Sequence, residues 1–184
     1  ALKLIGYSYE LQEGMIPAPG DGGGFEIAGV IDFLGKTVHI SRKFDLSTQR
    51  FTAAHELGHA LMHQAVGGMH RDRPKGQGGK SRDPVEIEAD KFATCFLMPS
   101  KLIRASYERQ FGTQNFVPGE ATAFALAKCS LQDFRKQFPT RRDISRLLAN
   151  TARYDTQVIP LASQFRVSIE AMAIRIEQLN LLAL

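Results

Sequence analysis

The sequence is poor in the residues that hold small extracellular domains together, and it lacks any long apolar segment. Its 184 residues include no tryptophan and two cysteines, Cys95 and Cys129. The cysteines have no C-x-x-C spacing and lie in apolar helical contexts, as is typical of reduced core residues in a cytosolic protein. No run of about 18 apolar residues is present, and the first residues do not form a basic-then-apolar leader. These absences predict a cytoplasmic protein without a membrane-spanning segment.

The composition is nevertheless that of a folded protein. Hydrophobic residues make up 43% of the chain, and the formal net charge is +4. A chain of this length can bury a core as one compact domain with a smaller appendage. The modest charge describes the surface and indicates no particular partner.

The most informative stretch is residues 50–63, which contains the pattern H-E-x-x-H. Its two histidines, His55 and His59, are separated by four positions, and Glu56 follows the first. On an α-helix such a pair lies on one face about one turn apart, so both imidazoles can bind one metal ion. Glu56 lies about 100° round the helix from His55, close enough to touch a water on the metal without being a ligand. Neutral nitrogen ligands, an open position and a carboxylate base together suit catalytic zinc.

The alternative interpretation is that two histidines and a glutamate coincide on an exposed helix. The neighbouring residues argue against it, because they are apolar or small: Phe51, Ala54, Leu57, Gly58 and Leu61. They predict an interior helix, where an unpaired ionisable group is costly. The pattern therefore favours a metal site, with Zn²⁺ as its ion.

Elements around this helix can be predicted from patterning. Two β-rich runs, residues 25–33 and 37–41, predict a hairpin with Val38 and Ile40 facing the core and His39 on the opposite face as an ordinary strand histidine. The metal helix can begin at Asp45 or Ser47 and is predicted to run to Ala65. Residues 69–82 are basic and rich in glycine, which predicts a loop that is either disordered or a flap over the site.

A second helix is predicted from Pro84 to Met98, with Asp83 as its cap. Catalytic zinc with two histidines needs a third protein ligand, and this helix offers Glu86 and Glu88. These lie about 160° apart on the helical wheel, so only one can face the metal helix. The predicted buried stripe does not separate them, and its members are Val85, Ala89, Phe92 and Phe96.

Asp90 favours Glu86 over Glu88. It lies one turn beyond Glu86, where a carboxylate can accept a hydrogen bond from the free N–H of a ligating imidazole and orient the ring. The alternative role of Glu86 is to complete a capping box with Asp83, in which case it could not reach the metal. His70 competes as a ligand, whereas His63 lies too far along the helix from the first histidine, about 12 Å.

The predicted site therefore has three metal ligands, one catalytic residue and one orienting carboxylate. In that order they are His55, His59 and Glu86, then Glu56, then Asp90.

These motifs resemble those of the ImmA/IrrE family of zinc metallo-endopeptidases. Residues 51–59 read F-T-x-A-H-E-x-x-H, and residues 86–99 read E-x-x-A-D-x-F-A with a closing L-M-P. The resemblance covers about residues 25–105. It implies a gluzincin-like core in which the H-E-x-x-H histidines and Glu86 bind zinc, with Glu56 as the catalytic acid and base. It also implies a protein substrate, a bacterial or phage helix-turn-helix repressor that is cleaved during stress.

The second half of the chain is predicted to be helical. Residues 100–111 form one predicted helix, and residues 118–138 contain another that is amphipathic. The segment from 135 to 153 has one acid, Asp143, and six basic residues: Arg135, Lys136, Arg141, Arg142, Arg146 and Arg153. A solvated helix face is the default interpretation of such a run, and a surface for nucleic acid or an acidic protein is the alternative.

The tail, residues 158–179, is predicted to form a small helix, a tight turn at residues 166–168 and a longer helix, as in helix-turn-helix proteins. Few residues at the start of the longer helix could read bases. Its apolar residues instead recur at core spacing: Ile169, Met172, Ile176 and Leu179. The pattern favours packing or docking of a partner over direct DNA binding.

The sequence as a whole predicts an α+β protein. A small antiparallel sheet packs on a zincin-like helical core in residues 1–105, and residues 106–184 form a helical extension packed on that core and resembling a helix-turn-helix. The predicted function is hydrolysis of a peptide bond in a protein that adds as an extended strand to the exposed edge of the sheet at residues 25–41. The alternatives are a DNA-binding regulator with a structural or vestigial zinc site, and a zinc hydrolase acting on small molecules in a closed pocket.

Overall fold

Helices and a small sheet make up the fold, which confirms the predicted α+β class. The computed structural model describes residues 1–13, 16–17, 26–63, 69–71, 83–154 and 156–183. The chain divides into two units, Ala1–Leu97 and Met98–Leu184. The predicted domains, with their boundary after residue 105, stay a prediction. Within the described ranges, no helix combines the length and apolar character needed to cross a membrane.

The first unit begins with a 3₁₀-helix and contains six strands among its described residues. The 3₁₀-helix is Leu2–Ile5, and the strands are β1 (Ser8–Gln12), β2 (Ile16–Pro17), β3 (Glu26–Ile27), β4 (Gly29–Asp32), β5 (Thr37–Ser41) and β6 (Met69–Arg71). Four of the strands form one sheet in the order β1-β5-β4-β6, and β2 pairs with β3.

The predicted hairpin is confirmed as the antiparallel pair β4 and β5, with Val30 opposite His39. Val38 and Ile40 are fully buried, as predicted. His39 is half-buried and lies near two residues of β1, with its Nδ1 3.0 Å from Gln12 Nε2 and 3.3 Å from Glu10 Oε2. It therefore has the ordinary strand role that the sequence suggested.

The edges of this sheet differ from the prediction. β5 also pairs in parallel with β1, and β4 also pairs with β6. Both strands of the hairpin are therefore flanked on each side, so the predicted exposed edge at residues 25–41 is wrong for this sheet. In the described part of the chain, its outer strands are β1 and β6.

Helix α1 (Leu46–Met62) carries the H-E-x-x-H pattern. Of the two predicted caps, Asp45 is the one used, since its carboxylate accepts hydrogen bonds from the backbone N–H groups of Ser47 and Thr48 at 2.9 and 3.1 Å. Hydrogen bonds from these two side chains and from the backbone hold the pKa of Asp45 well below its usual range. The helix ends at Met62, before the predicted Ala65, and residues 64–68 lie outside the described part.

Helix α2 (Pro84–Leu97) is capped by Asp83, which accepts from the N–H of Val85 at 3.0 Å. Only part of the predicted stripe is buried. Ala89 is fully buried, whereas Phe96 is 49% exposed. Cys95 is also exposed, which corrects its assignment as a core residue. The predicted loop at residues 69–82 begins instead as strand β6, and residues 72–82 lie outside the described part.

The second unit begins with α3 (Ser100–Phe111), whose bounds confirm the prediction. The single helix predicted within residues 118–138 is two helices, α4 (Glu120–Ala127) and α5 (Leu131–Gln137). The break follows from Lys128, which has a left-handed φ of 57°, and from Ser130, whose side chain caps α5. A left-handed residue ends one helix and a new cap begins the next.

The remaining elements are α6 (Arg141–Asn150), β7 (Arg153–Tyr154), β8 (Thr156–Gln157), α7 (Leu161–Phe165) and α8 (Ile169–Gln178). The predicted small helix, turn and longer helix are therefore present, with Arg166 left-handed in the turn. Met172 and Ile176 are fully buried, as their spacing predicted, whereas Ile169 is exposed.

Two arginines of the basic run form ion pairs with glutamates of α8 within this second unit. Arg142 contacts Glu170 at 2.6 Å and Glu177 at 2.8 Å, and Arg146 contacts Glu170 at 2.6 Å. These ion pairs join α6 to α8. They lower the pKa of both glutamates through hydrogen bonds from the guanidinium groups.

Candidate metal centre

Three side chains from α1 and α2 converge in the first unit. The Nε2 atoms of His55 and His59 lie 2.9 Å apart. Glu86 completes the cluster, with Oε2 3.2 Å from Nε2 of His55 and Oε1 3.7 Å from Nε2 of His59. Both histidines are buried, and the glutamate is half-buried. Within the described ranges this is the one group of three or more histidine, cysteine, aspartate or glutamate residues that could hold a metal ion.

These separations fit a single small cation. Ligands that lie about 2.0–2.1 Å from a tetrahedral ion are about 3.3–3.4 Å from one another. The observed values of 2.9, 3.2 and 3.7 Å bracket that edge length. Two imidazole nitrogens and one carboxylate oxygen are also a donor set that catalytic zinc sites use. The residues present therefore fit a metal ion.

The positions of Glu86 and Glu88 bear on two alternatives that the sequence left open. Glu86 faces both histidines, so it is not turned back to a capping box with Asp83. Asp83 caps α2 through the N–H of Val85 instead. Glu88 does not face the cluster, and its carboxylate lies 3.1 Å from Nε2 of His63. This agrees with the helical wheel, on which only one of Glu86 and Glu88 can face the metal helix.

A close approach of α1 and α2 brings these groups together. Gly58 lies between His55 and His59 in the sequence, and a Cβ atom there would be 3.3 Å from Cα of Ala89 and 3.1 Å from Cδ1 of Phe92. A side chain at this point would require its neighbours on α2 to move by a few tenths of an ångström. The glycine in H-E-L-G-H therefore favours the close approach of the two helices.

Asp90 contacts the first histidine of the cluster. Its Oδ1 lies 3.0 Å from Nδ1 of His55. Because a carboxylate only accepts hydrogen bonds, Nδ1 of a neutral His55 is the donor and its Nε2 keeps a lone pair. That lone pair is directed at the cluster, as a metal ligand requires.

Glu56, the predicted catalytic residue, is 1% exposed and follows His55 directly in α1. A carboxylate held in such an interior position is shielded from bulk water. The side chain of His70, the competing ligand, lies outside the described part, although its backbone pairs with Ile31 in the sheet.

The contact between His59 and His63 is a feature that the sequence analysis missed. Nδ1 of His63 lies 3.0 Å from Nδ1 of His59. From the sequence, His63 is excluded as a ligand by its distance from His55 along the helix, and no other role is predicted for it. The spacing of four residues from His59 was the signal that could have revealed a supporting contact.

Comparison with known proteins identifies the family. No curated protein matches the chain. The family model of the IrrE N-terminal-like domain, Peptidase_M78, matches residues 19–124 and so covers both helices that carry the cluster. The resemblance predicted from the two motifs is confirmed, and the chain belongs to the IrrE N-terminal-like family of metallopeptidases.

Proposed function

We propose that the protein is a zinc-dependent endopeptidase. In this proposal His55, His59 and Glu86 are the zinc ligands, Glu56 is the general acid and base, and Asp90 orients the first histidine. The observation that supports it most directly is the convergence of three side chains from two helices, with 2.9 Å between the imidazole nitrogens and 3.2 and 3.7 Å from these to the two Glu86 oxygens. Family membership supports peptide-bond hydrolysis as the reaction.

The composition of the site favours zinc. Imidazole nitrogen suits zinc and other borderline ions better than the hard ions magnesium and calcium, which prefer oxygen. Three protein ligands also leave one of four tetrahedral positions for water or substrate, which separates a catalytic site from a structural one.

The chemistry then divides between the metal and the chain. When bound, zinc supplies Lewis acidity, which activates a water molecule and polarises the scissile carbonyl. Glu56 takes the proton from the attacking water and later donates it to the leaving amine, so one carboxylate serves both halves of the reaction. Asp90 holds His55 with its Nε2 lone pair directed into the site.

The substrate class rests on the family resemblance. We propose that the substrate is a protein, and specifically a helix-turn-helix transcriptional repressor whose cleavage relieves repression during stress. Action in the cytoplasm, where such repressors occur, belongs to the same proposal.

The alternative of a DNA-binding regulator is opposed by the charges on α8. This helix corresponds to the recognition helix of a helix-turn-helix protein. Two of its residues are acidic, however: Glu170 and Glu177 accept hydrogen bonds from Arg142 of α6. Its basic residue, Arg175, is buried and donates to the backbone carbonyl of Met98 at 3.1 Å. A helix with two acidic side chains and with its one basic side chain buried is poorly suited to contact phosphate.

The test is co-expression with helix-turn-helix regulators encoded beside the gene, comparing wild type with Glu56→Gln. The substitution leaves all three proposed ligands in place, so both proteins should bind one zinc ion. We expect cleavage of a regulator by the wild type and its loss in the variant. Cleavage that survives in a zinc-loaded Glu56→Gln protein would remove the proposed mechanism.

A further inference from the structure

A chain of two contacts leads away from the second ligand histidine. Nδ1 of His59 lies 3.0 Å from Nδ1 of His63, and Nε2 of His63 lies 3.1 Å from Oε2 of Glu88. On the other side of its ring, Nε2 of His59 faces the cluster. His63 is 8% exposed, so its ring is held inside the protein where its contacts matter.

We propose that His63 and Glu88 are a positioning pair that fixes His59 in its metal-binding tautomer. The inference rests on the proposed function, because it takes Nε2 of His59 as a metal ligand. It assigns a role to two side chains outside the proposed ligand set.

The donor and the acceptor of each hydrogen bond follow from the chemistry of Glu88, the last residue in this chain of contacts. The carboxylate of Glu88 only accepts, so Nε2 of His63 donates to it. A neutral His63 then has a lone pair on Nδ1, which accepts from Nδ1–H of His59. His59 is thereby left with its own lone pair on Nε2, directed at Glu86 and His55. The opposite tautomer of His59 would place a proton where the metal must bind.

Carboxylates of α2 thus fix the tautomer of both proposed ligand histidines, in each case leaving the lone pair on Nε2. Asp90 acts directly on His55, whereas Glu88 acts on His59 through His63. With the proposed ligand Glu86, which precedes both in sequence, α2 presents a carboxylate at every second position from 86 to 90.

A purely structural role for the His63 side chain is separable from this one. His63 is the C-terminal cap of α1, and its backbone N–H donates to the carbonyl of His59 at 2.9 Å. That bond belongs to the backbone and survives any side chain other than proline. The imidazole itself is therefore not needed to end the helix.

The experiment measures zinc affinity by competition with a chelator, and it uses the absorption spectrum of the cobalt-loaded protein to report ligand geometry. The full chain is used, with His63→Ala, His63→Asn and Glu88→Ala. Asparagine is the rescue variant, because its Oδ1 occupies nearly the position of Nδ1 and accepts a hydrogen bond. His39→Ala is the matched control, since His39 also has a glutamate partner, Glu10, but lies outside the site.

We expect His63→Ala to lower zinc affinity by about tenfold or more, as loss of an orienting partner does at other metal sites. His63→Asn should recover most of that loss, and the cobalt spectrum should shift in His63→Ala alone. Glu88→Ala should have a smaller effect, because its side chain is 61% exposed and water can replace it in part. His39→Ala should bind zinc like the wild type.

Wild-type affinity in His63→Ala would overturn the positioning pair, provided that the wild type itself binds zinc. Equal losses in His63→Ala and His63→Asn, matched by equal losses in stability of the metal-free protein, would also overturn it in favour of a structural role. Should His63→Ala not fold, the comparison of His63→Asn with Glu88→Ala decides, and wild-type affinity in Glu88→Ala would then count against the pair. A wild-type protein that binds no zinc would instead overturn the proposed function.

Discussion

The Asp90 carboxylate lies 3.0 Å from Nδ1 of His55, on the side of the ring opposite the Nε2 atom that faces Glu86. One helix therefore contacts both nitrogens of the same imidazole, Asp90 at Nδ1 and Glu86 at Nε2. We propose that Asp90 orients the ring and that Glu86 binds the metal, and substitutions at the two positions should separate these roles.

Replacing the orienting group should weaken metal binding without abolishing it. We expect Asp90→Ala to lower zinc affinity by about 10- to 100-fold, because His55 then loses the acceptor that selects its tautomer. Chelator competition measures the change. Lys91→Ala, an exposed neighbour on the same helix, is the control and should bind zinc normally. Unchanged affinity in Asp90→Ala would show that the ring is held by packing alone.

Replacing the ligand should have a larger effect than replacing its support. Glu86→Gln keeps the size of the side chain but removes the negative charge and leaves a weaker donor. We expect a greater loss of zinc affinity than in Asp90→Ala, with the folded structure retained. Circular dichroism and zinc content per chain are the measurements. Stoichiometric zinc at wild-type affinity in Glu86→Gln would exclude Glu86 as the third ligand.

The helix contact at Gly58 can be tested by adding one carbon atom. In an exposed helix, Gly→Ala stabilises by about 1 kcal/mol. At Gly58 the new Cβ meets the backbone of Ala89 at 3.3 Å, and overpacking costs about 1–3 kcal/mol. We therefore expect Gly58→Ala to lower both the free energy of unfolding and the zinc affinity. A variant stabilised by the full helix-propensity gain would show that the two helices separate freely.

The ion pairs between α6 and α8 should make stability depend on acid pH. Arg142 lowers the pKa of Glu177 and, with Arg146, that of Glu170. Stability from a lowered carboxyl pKa is present above the ordinary glutamate pKa and is lost as pH falls through the lowered value. We expect Arg142→Gln to be less stable than wild type near neutral pH by about 1 kcal/mol, given the exposure of the pairs.

Thermal midpoints measured from neutral pH downward check this, and the gap between the two proteins should close once the glutamates are protonated. Lys136→Gln is the control, because Lys136 and its partner Asp133 are both more than half exposed. A gap that persisted unchanged in acid would mean that Arg142 acts through packing of its stem.

The part of the site that could be predicted from the sequence is the part that depends on helix geometry. Two histidines four residues apart share a face of any α-helix, and Glu86 followed by Asp90 does the same on α2. What could not be predicted is the contact that depends on how two helices cross. Glu88 contacts His63 because of that crossing, and a helical wheel, which describes one helix at a time, cannot predict a contact between two helices.

Strands could be predicted where buried and exposed residues alternate, as in β5, and could not be predicted where they do not, as in β1. Val38 and Ile40 showed the core face of β5. None of the residues of β1 is fully buried, so this strand lacks the alternation of apolar and polar residues that predicts a half-buried strand. Its parallel partner β5 is also distant in sequence. The basic run illustrates the same limit. Counting charges within residues 135–153 finds a single acid, Asp143, whereas the acids that neutralise Arg142 lie on α8.

The exposed position of Cys95 has a practical consequence. A thiol on the outer face of α2 can carry a fluorophore or a spin label, while Cys129 in the second unit is less exposed and should react more slowly. A reporter so placed would register any movement of α2 when metal is added, without altering His55, His59 or Glu86. Loading of the centre could then be followed in real time and without a substrate.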